Sequence, residues 1–235
     1  GLYSKPKQEK QMNNQKEQVK RINVEVFKQQ LLNRKITAER FRLPWQYEAS
    51  VDAITAAYKA NVEFRHRIYQ DDIATQEHIK AAARWLTAEC PKFGMLLCGQ
   101  CGNGKTTLSH AILDLVSWIY RNDDSNDGFY IKQVDAREIC DAAKNNYKTY
   151  KGLCSQLMLS IDDLGVEPSE VLDYGNVLSP VIELLSHRYN AQLFTIVTTN
   201  LTPKQIREHY GERIADRFNE MFERIVFENS TYRTL

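Results

Sequence analysis

A glycine-rich octapeptide near the middle of the chain has the residue types and spacing of a phosphate-binding loop. It matches G-x-x-x-x-G-K-[ST] in full, and its members are Gly99, Gln100, Cys101, Gly102, Asn103, Gly104, Lys105 and Thr106. Glycines let the backbone wrap closely around an anion and turn N–H groups towards it, at a helix N-terminus whose dipole favours negative charge. We expect Lys105 to neutralise the β- and γ-phosphates of a nucleotide and the Thr106 hydroxyl to bind Mg²⁺. Thr107, the next residue, completes the expected nucleotide-binding segment.

Two acidic residues follow a second apolar run, where nucleotide hydrolysis requires a carboxylate. The run covers residues 157–161, and Asp162 and Asp163 come directly after it. We expect Asp162 to hold the Mg²⁺ shell and Asp163 to orient or deprotonate the attacking water, because carboxylates are acceptors. The alternative role for Asp163 is a cap on the following turn.

A third polar residue stands at the end of another apolar run. Asn200 follows residues 193–199 and could hydrogen-bond both the water and the γ-phosphate. It could equally begin the turn before Pro203, which is a common position for asparagine. The combination with the two acidic residues favours the catalytic interpretation.

Short apolar runs alternate with helical segments from residue 93 onwards. The predicted strands cover residues 94–98, 129–134, 156–161, 193–198 and 224–227. The predicted helices lie near residues 105–120, 136–147, 176–190 and 203–221. This order predicts an α/β fold, a five-stranded parallel sheet flanked by helices.

The first ninety residues have a helical pattern instead. Apolar residues at three- and four-residue spacing predict helices near 16–34, after Ser50 and from Thr75. Residues 1–42 carry eleven Lys/Arg and four Asp/Glu, a net charge of +7, whereas the remainder carries −6. A basic head could contact nucleic acid or an acidic partner, or could be a solvated helix. We predict a helical region for partner or DNA binding over residues 1–65, and an ATPase domain over residues 66–235.

The composition excludes several classes of protein. Hydrophobic residues make up 43% of the chain and charged residues 26%, with ten Gly and six Pro, which excludes a disordered or fibrous chain. The sequence has no run of about 20 apolar residues, so we expect no membrane association. Five cysteines, odd in number and sparse, favour a reducing compartment, and we expect the cytoplasm.

Several segments between residues 68 and 235 resemble the DnaC/IstB group of AAA+ ATPases, which comprises helicase loaders and the ATPase subunits of insertion elements. Besides the phosphate-binding loop, they are Ser-Ile-Asp-Asp-Leu-Gly at 160–165, Arg-Tyr-Asn at 188–190, Gly-Glu-Arg-Ile-Ala-Asp-Arg-Phe at 211–218 and Ser-Thr-Tyr-Arg at 230–233. The resemblance implies an AAA+ type P-loop NTPase fold and an ATP-dependent homo-oligomer. Only eighteen residues follow residue 217, so we expect no C-terminal lid domain, as in that group.

The resemblance also implies that an arginine of one subunit reaches the γ-phosphate bound by its neighbour. Arg217 is the first candidate and Arg213 the second, because a guanidinium stays charged and spreads its donors over developing phosphate charge. The alternative for Arg217 is a surface salt bridge with Glu220 or Asp216. Arg233 matches the family's terminal element and would sense nucleotide in cis.

The site departs from the AAA+ pattern at one position. Asp163 stands where AAA+ proteins typically have glutamate, and its shorter side chain predicts slow hydrolysis. Adenine recognition is expected just before the ATPase core, where Tyr69, Ile73 and Gln76 are candidates or ordinary packing residues.

Two functions fit these expectations. The first is a helicase loader that acts on single-stranded DNA in DNA replication, with residues 1–65 binding a replicative helicase. The alternative is an IstB-like ATPase that regulates a transposase on target DNA. A P-loop kinase is disfavoured because no substrate lid is evident.

A basic stretch with interleaved aromatic residues is the candidate for DNA contact. Its residues are Lys144, Tyr147, Lys148, Tyr150 and Lys151. Lysines could follow the phosphates while tyrosines stack on bases. The other interpretation is an exposed helix end with ordinary charge.

Overall fold

The computed structural model describes residues 23–33, 40–89, 91–121, 130–173 and 176–232. The chain divides into two compact units, residues 1–39 and residues 40–235. No described helix combines the length and the apolar character that a bilayer-spanning segment requires.

The described part of the first unit is one short helix, α1 (Val24–Asn33). The Asn23 side chain accepts a hydrogen bond from the Glu25 N–H at 2.9 Å and so caps its start. The large apolar side chains of α1 are exposed; they are Val24, Val26, Phe27, Leu31 and Leu32. The predicted helix 16–34 is therefore seen over residues 24–33, Asn23 precedes it as the cap, and residues 16–22 and 34 lie outside the described ones.

The second unit combines parallel strands with helices on both sides. Its strands are β1 (Gly94–Gly99), β2 (Lys132–Asp135), β3 (Met158–Leu164), β4 (Val171–Asp173), β5 (Asn176–Leu178), β6 (Phe194–Thr199) and β7 (Phe222–Phe227). Its helices are α2 (Tyr47–Phe64), α3 (Ile73–Thr87), α4 (Lys105–Arg121), α5 (Ala136–Asn145), α6 (Tyr147–Ser155), α7 (Pro180–Ala191), α8 (Pro203–Tyr210) and α9 (Glu212–Met221).

The main sheet has the strand order β2-β3-β6-β1-β7, and every neighbouring pair is parallel. This confirms the predicted five-stranded parallel sheet. The interior strand β1 is apolar throughout because it is covered on both faces. The carboxyl ends of parallel strands share one edge of the sheet, so the residues that follow β1, β3 and β6 meet there.

Alternate residues of β1 pack into two different cores. Met95 and Leu97 face the cluster formed with α2, α3 and α4. Leu96 and Cys98 face the cluster formed with α5 to α9. This two-residue alternation is what an extended strand imposes. The helix α2 contributes Ile54, which is fully buried, to the first of these cores.

Three predicted helices differ from the observed ones. The predicted helix 136–147 is two helices, because Asn146 leaves the helical conformation and its side chain caps α6 by accepting from the Thr149 N–H at 3.1 Å. The predicted helix 203–221 breaks at Gly211, whose φ of 84° ends α8. The predicted helix 176–190 starts later, at Pro180, because residues 176–178 pair with β4 as an antiparallel hairpin.

A buried arginine ties three elements of the second unit together. Arg188 of α7 is 0% exposed. Its guanidinium donates hydrogen bonds to the Thr195 hydroxyl and to the carbonyls of Leu153, Cys154, Gln156 and Phe194. All five acceptors are uncharged, and burial lowers the pKa of Arg188 to about 9. Residues 188–190, which contribute to the family resemblance, thus have a structural role through this side chain.

Arg188→Met is expected to lower the free energy of unfolding by about 2 to 3 kcal/mol, because several buried carbonyls lose their donor. Urea unfolding measures this change. Arg84→Met is the matched control, since Arg84 is exposed on a helix of the same unit, and we expect it to stay within about 0.5 kcal/mol of wild type. Equal stability of the two variants would show that the Arg188 network contributes nothing.

Candidate nucleotide-binding site

The phosphate-binding loop connects β1 to α4 in a conformation that requires glycine. Gly99 has a φ of 144° and Gly104 a φ of 103°. A Cβ atom at Gly99 would lie 2.2 Å from the Phe227 carbonyl oxygen, and one at Gly104 would lie 2.6 Å from the Tyr58 hydroxyl. Backbone and side-chain neighbours therefore leave no room for a side chain, as expected of a cradle that closes around an anion.

Lys105 begins α4 and is directed back into the loop. Its side chain is buried, and Nζ donates to the Gly99 carbonyl at 2.8 Å, to the Gln100 carbonyl and to Asn103 Oδ1 at 3.2 Å. Burial lowers the pKa of Lys105, while the nearby carboxylates of Asp163 and Asp162 oppose that shift. A bound phosphate would offer this ammonium charged oxygens in place of neutral ones, which strengthens each hydrogen bond.

The two predicted metal ligands lie side by side. Thr106 Oγ1 is 3.4 Å from Asp162 Oδ1, and the Thr198 hydroxyl donates to the same carboxylate oxygen. Hydroxyl and carboxylate oxygens are the ligands that Mg²⁺ prefers, so this set of donors fits the ion. Thr198 was not predicted as a site residue, because in the sequence it is one of three threonines in the otherwise apolar run 193–199.

Asp163 occupies an unusual backbone conformation at the end of β3. Its φ is 52°, and the β3–β6 register shifts between Ile161 and Leu164. Its N–H donates to Thr198 Oγ1 at 2.9 Å, and aspartate tolerates the left-handed region better than most residues. Successive residues of β3 thus contact neighbouring groups, since Asp162 contacts the hydroxyls of Thr106 and Thr198 and the Asp163 N–H donates to Thr198.

The pKa of Asp163 is raised, first by burial and then by the neighbouring carboxylates of Asp162 and Asp135. A carboxylate whose pKa is raised holds a proton more readily than an ordinary one. This property suits a group that accepts a proton from water.

The loop and the strand ends share one cavity of about 450 Å³. Loop residues 101, 102 and 104–107 form one wall, and Asp163 and Asn200 lie at the strand ends. The remaining lining comes from α2, the segment after it, α3 and the C-terminal segment: Tyr58, Val62, Arg65, Arg67, Ile68, Tyr69, Gln70, Thr75 and Tyr232. The structure thus brings together Lys105, Asp163 and Asn200, which are far apart in the sequence.

Of the three adenine candidates, one lines the cavity. Tyr69 belongs to its wall. Ile73 is 79% exposed, and Gln76 donates a hydrogen bond to Asp71 at 3.0 Å. Arg233, the predicted cis sensor, lies outside the described residues.

The two candidate arginine fingers lie on α9. Arg217 donates a hydrogen bond to the Ser186 hydroxyl at 2.7 Å and stacks on the Tyr189 ring, with 4.9 Å between its Cζ atom and the ring centroid. Glu220 instead accepts from the Tyr189 hydroxyl. Arg213 is exposed. Neither arginine is among the described residues that line the cavity of its own chain.

The basic stretch lies at the end of α5 and along α6. Lys144, Lys148 and Lys151 are exposed, and Lys151 Nζ lies 5.2 Å from the centroid of the Tyr147 ring. Tyr150 is 3% exposed and donates to the Pro180 carbonyl at 2.9 Å. Tyr150 is therefore a core residue that cannot stack on a base, whereas Tyr147, at 62% exposed, can.

Solved structures share the fold of the second unit, although no protein-family model and no curated protein matches the chain. A DnaC helicase loader superposes with a TM-score of 0.54 at 21% identity, over 74% of this chain and 99% of the loader. The chain has the fold of the DnaC-type AAA+ ATPases. A DnaI structure has a TM-score of 0.51 at 19% identity, over 73% of this chain and 93% of DnaI. A structure from Streptococcus pyogenes serotype M3 has the same TM-score at 17% identity, over 76% of this chain and 98% of that protein.

These matches confirm the predicted AAA+ fold class. The DnaC-type fold here consists of the five-stranded sheet with helices on both faces. Within the described residues, β7 is the last element along the chain. The proposed division into residues 1–65 and 66–235 concerns partner binding and stays a prediction.

Proposed function

We propose that this protein binds and hydrolyses ATP with Mg²⁺ and acts as a DnaC-like helicase loader on single-stranded DNA in DNA replication. One observation carries the proposal. The ammonium of Lys105 and the carboxylate of Asp163 line one cavity beside the Thr106–Asp162 pair, in a chain whose fold matches DnaC and DnaI structures.

Each residue of the site has a task that its contacts support. Lys105 would exchange its loop acceptors for the β- and γ-phosphates. Thr106 and Asp162 would hold Mg²⁺, which neutralises phosphate charge when bound. Asp163 would accept a proton from the attacking water, and Asn200 would hydrogen-bond that water and the γ-phosphate. Because aspartate has a shorter reach than glutamate, we expect slow turnover.

The arginine that completes the site would come from a second subunit of an ATP-dependent homo-oligomer. Arg217 is our candidate, and its contacts with Ser186 and Tyr189 hold it in a defined orientation. A planar guanidinium fixed in this way loses little conformational entropy when it meets a phosphate. Arg213 is the alternative.

Helicase binding is assigned to the head of the chain, where the charge is +7 over residues 1–42. The exposed apolar side chains of α1 give this region a surface that a protein partner can cover. Exposed lysines of the basic stretch, Lys144, Lys148 and Lys151, would follow the phosphates of single-stranded DNA, with Tyr147 available for stacking. The alternative function, an IstB-like ATPase that regulates a transposase, uses the same site with a different partner.

A pull-down from the native host with Asp163→Asn protein and ATP tests the proposal, because this variant should bind ATP and release its partner slowly. We expect mass spectrometry to identify a hexameric replicative helicase. Recovery of a transposase would instead assign the alternative function. Recovery of neither, from a protein that holds ATP, would contradict both.

The binding surface is tested in the full chain. Phe27→Asp and Leu32→Asp should abolish helicase recovery, since both side chains are exposed on α1 and their replacement leaves the second unit intact. Gln29→Asp is the control for the added charge on an exposed position of the same helix. Unchanged recovery by the two apolar variants would exclude α1 as the helicase-binding surface.

A further inference from the structure

The last described residues run alongside the phosphate-binding loop and are hydrogen-bonded to its backbone. The Tyr232 N–H donates to the Gly102 carbonyl at 2.9 Å. Asn229 Nδ2 donates to the Asn103 carbonyl at 3.2 Å, and Asn103 Nδ2 donates to the Phe227 carbonyl at 2.9 Å. We call residues 227–232 the strap.

The strap fixes the direction of two consecutive peptide groups. None of the described peptide bonds is cis. In a trans peptide the carbonyl oxygen of one residue and the N–H of the next point to opposite sides of the peptide plane. Because the strap binds the carbonyls of Gly102 and Asn103, the N–H groups of Asn103 and Gly104 are directed away from it. These are two of the N–H groups that a phosphate-binding loop turns towards its anion.

The far end of the strap is anchored to a different helix. The Tyr232 hydroxyl donates to Asp72 Oδ2 at 2.6 Å and lies 3.0 Å from Thr75 Oγ1. Asp72 is also the N-cap of α3 and accepts from the Thr75 N–H at 2.7 Å. Burial alone would raise the pKa of Asp72, but the hydrogen bonds from Tyr232 and Thr75 hold it below its ordinary value. The anchor is therefore a hydrogen bond to a charged carboxylate, which is the stronger kind.

We propose that the strap preorganises the phosphate-binding loop, with Tyr232 and Asn229 as positioning residues for the polyphosphate of the nucleotide. The inference rests on the proposed ATP binding and adds residues that hold the loop backbone, of which Tyr232 also lines the cavity. A loop held in its binding conformation before the ligand arrives loses less entropy on binding. The strap should thus contribute to affinity for the phosphates and leave the base unaffected.

Two variants of the full chain test the strap. Tyr232→Phe keeps the ring and removes the anchoring hydroxyl, and Asn229→Ala removes the donor to the Asn103 carbonyl. We expect each variant to weaken binding of ATP and of inorganic tripolyphosphate by the same factor, roughly three- to tenfold, the value of one hydrogen bond. Binding of adenosine should not change. Ser230→Ala is the matched control, because Ser230 is an exposed residue of the strap.

Amide hydrogen exchange gives a readout that is independent of ligand. In nucleotide-free variants, exchange of the Tyr232 N–H, which donates to the Gly102 carbonyl, should be faster, while exchange in β1 stays unchanged. Faster exchange throughout the second unit, with a lowered unfolding midpoint, would indicate a general structural role and would overturn the proposal. Should Tyr232→Phe fail to fold, Asn229→Ala decides the question alone.

The possible failures are distinguishable. If wild type binds ATP and both variants bind tripolyphosphate as well as wild type does, the strap inference is wrong and the proposed function stands. Loss of adenosine affinity with unchanged tripolyphosphate affinity would place the effect at the base and also overturn it. If wild type binds neither ATP nor tripolyphosphate, the proposed function itself fails.

Discussion

Lys105→Ala is expected to abolish ATP binding and with it all turnover. The ammonium would make hydrogen bonds to the β- and γ-phosphates, and a hydrogen bond to a charged group contributes about 1.5 to 3 kcal/mol. Loss of both corresponds to roughly a 10²- to 10⁴-fold weaker affinity. Isothermal titration calorimetry with Mg-ATP measures the change directly.

The control for Lys105→Ala is Lys204→Ala, which removes an equal charge from a side chain that is 84% exposed. We expect Lys204→Ala to bind Mg-ATP with wild-type affinity. Thermal unfolding of both variants separates lost binding from lost folding, since Lys105 also bonds three groups of its own loop. Retained ATP affinity in a folded Lys105→Ala protein would refute the assignment of the phosphate-binding loop.

Arg217→Ala is expected to lower the ATPase rate roughly 10³-fold in the assembled state while leaving ATP binding intact, because an arginine finger acts on the transition state. The decisive measurement is the ATPase rate of a mixture of Arg217→Ala and Asp163→Asn proteins. An Asp163→Asn subunit cannot hydrolyse ATP but still presents Arg217 to its neighbour. A mixture of two inactive variants should therefore regain activity at the sites where an intact Asp163 meets an intact Arg217.

Arg213→Ala is the matched control in the same experiment, since Arg213 lies one helical turn earlier on α9. If Arg213→Ala, and not Arg217→Ala, loses ATPase activity and regains it on mixing with Asp163→Asn, the finger is Arg213. An inactive Arg217→Ala protein that no mixture rescues would instead show that its contact with Ser186 serves the fold of its own subunit.

The parts of the site that follow from short segments could be predicted from sequence. The octapeptide around Lys105 determines its own chemistry, and the apolar run before Asp162 indicates a buried strand whose end carries charge. Parallel strands place their carboxyl ends at one edge, so Asn200 could be placed near both. Such inferences need only local patterns and one rule about sheets.

The contacts that hold the phosphate-binding loop could not be predicted, because they join residues that are far apart in the sequence. Tyr58 on α2 shows only the spacing of an ordinary buried helix face, yet its hydroxyl faces Gly104. Asn229 and Tyr232 carry no signal that they bind loop carbonyls more than a hundred residues earlier in the chain. The basic residues around Tyr150 suggested that it stacks on bases, but its position on the helix α6 places it in the core.

Two breaks within predicted helices could not be predicted from the sequence either. Asn146 and Gly211 each interrupt a continuous helical pattern, because one residue in a non-helical conformation barely alters apolar spacing. Glycine is the usual residue at the end of a helix, so Gly211 did indicate this break, but the apolar spacing over residues 203–221 favoured one continuous helix. The bend it makes separates α8 from the helix that carries both candidate fingers.

The position of β1 between β6 and β7 in the sheet governs when the site can form during synthesis. Gly94 pairs with Thr195 on one side and with Phe222 on the other, each at least a hundred residues later in the chain. At roughly 5 to 20 residues per second, a ribosome needs several seconds to make those partners, and the apolar strand waits unpaired meanwhile. Pairings this distant also slow folding after release. The nascent protein thus acquires its phosphate-binding loop late, because the strand that precedes the loop can pair on both sides only near the end of synthesis.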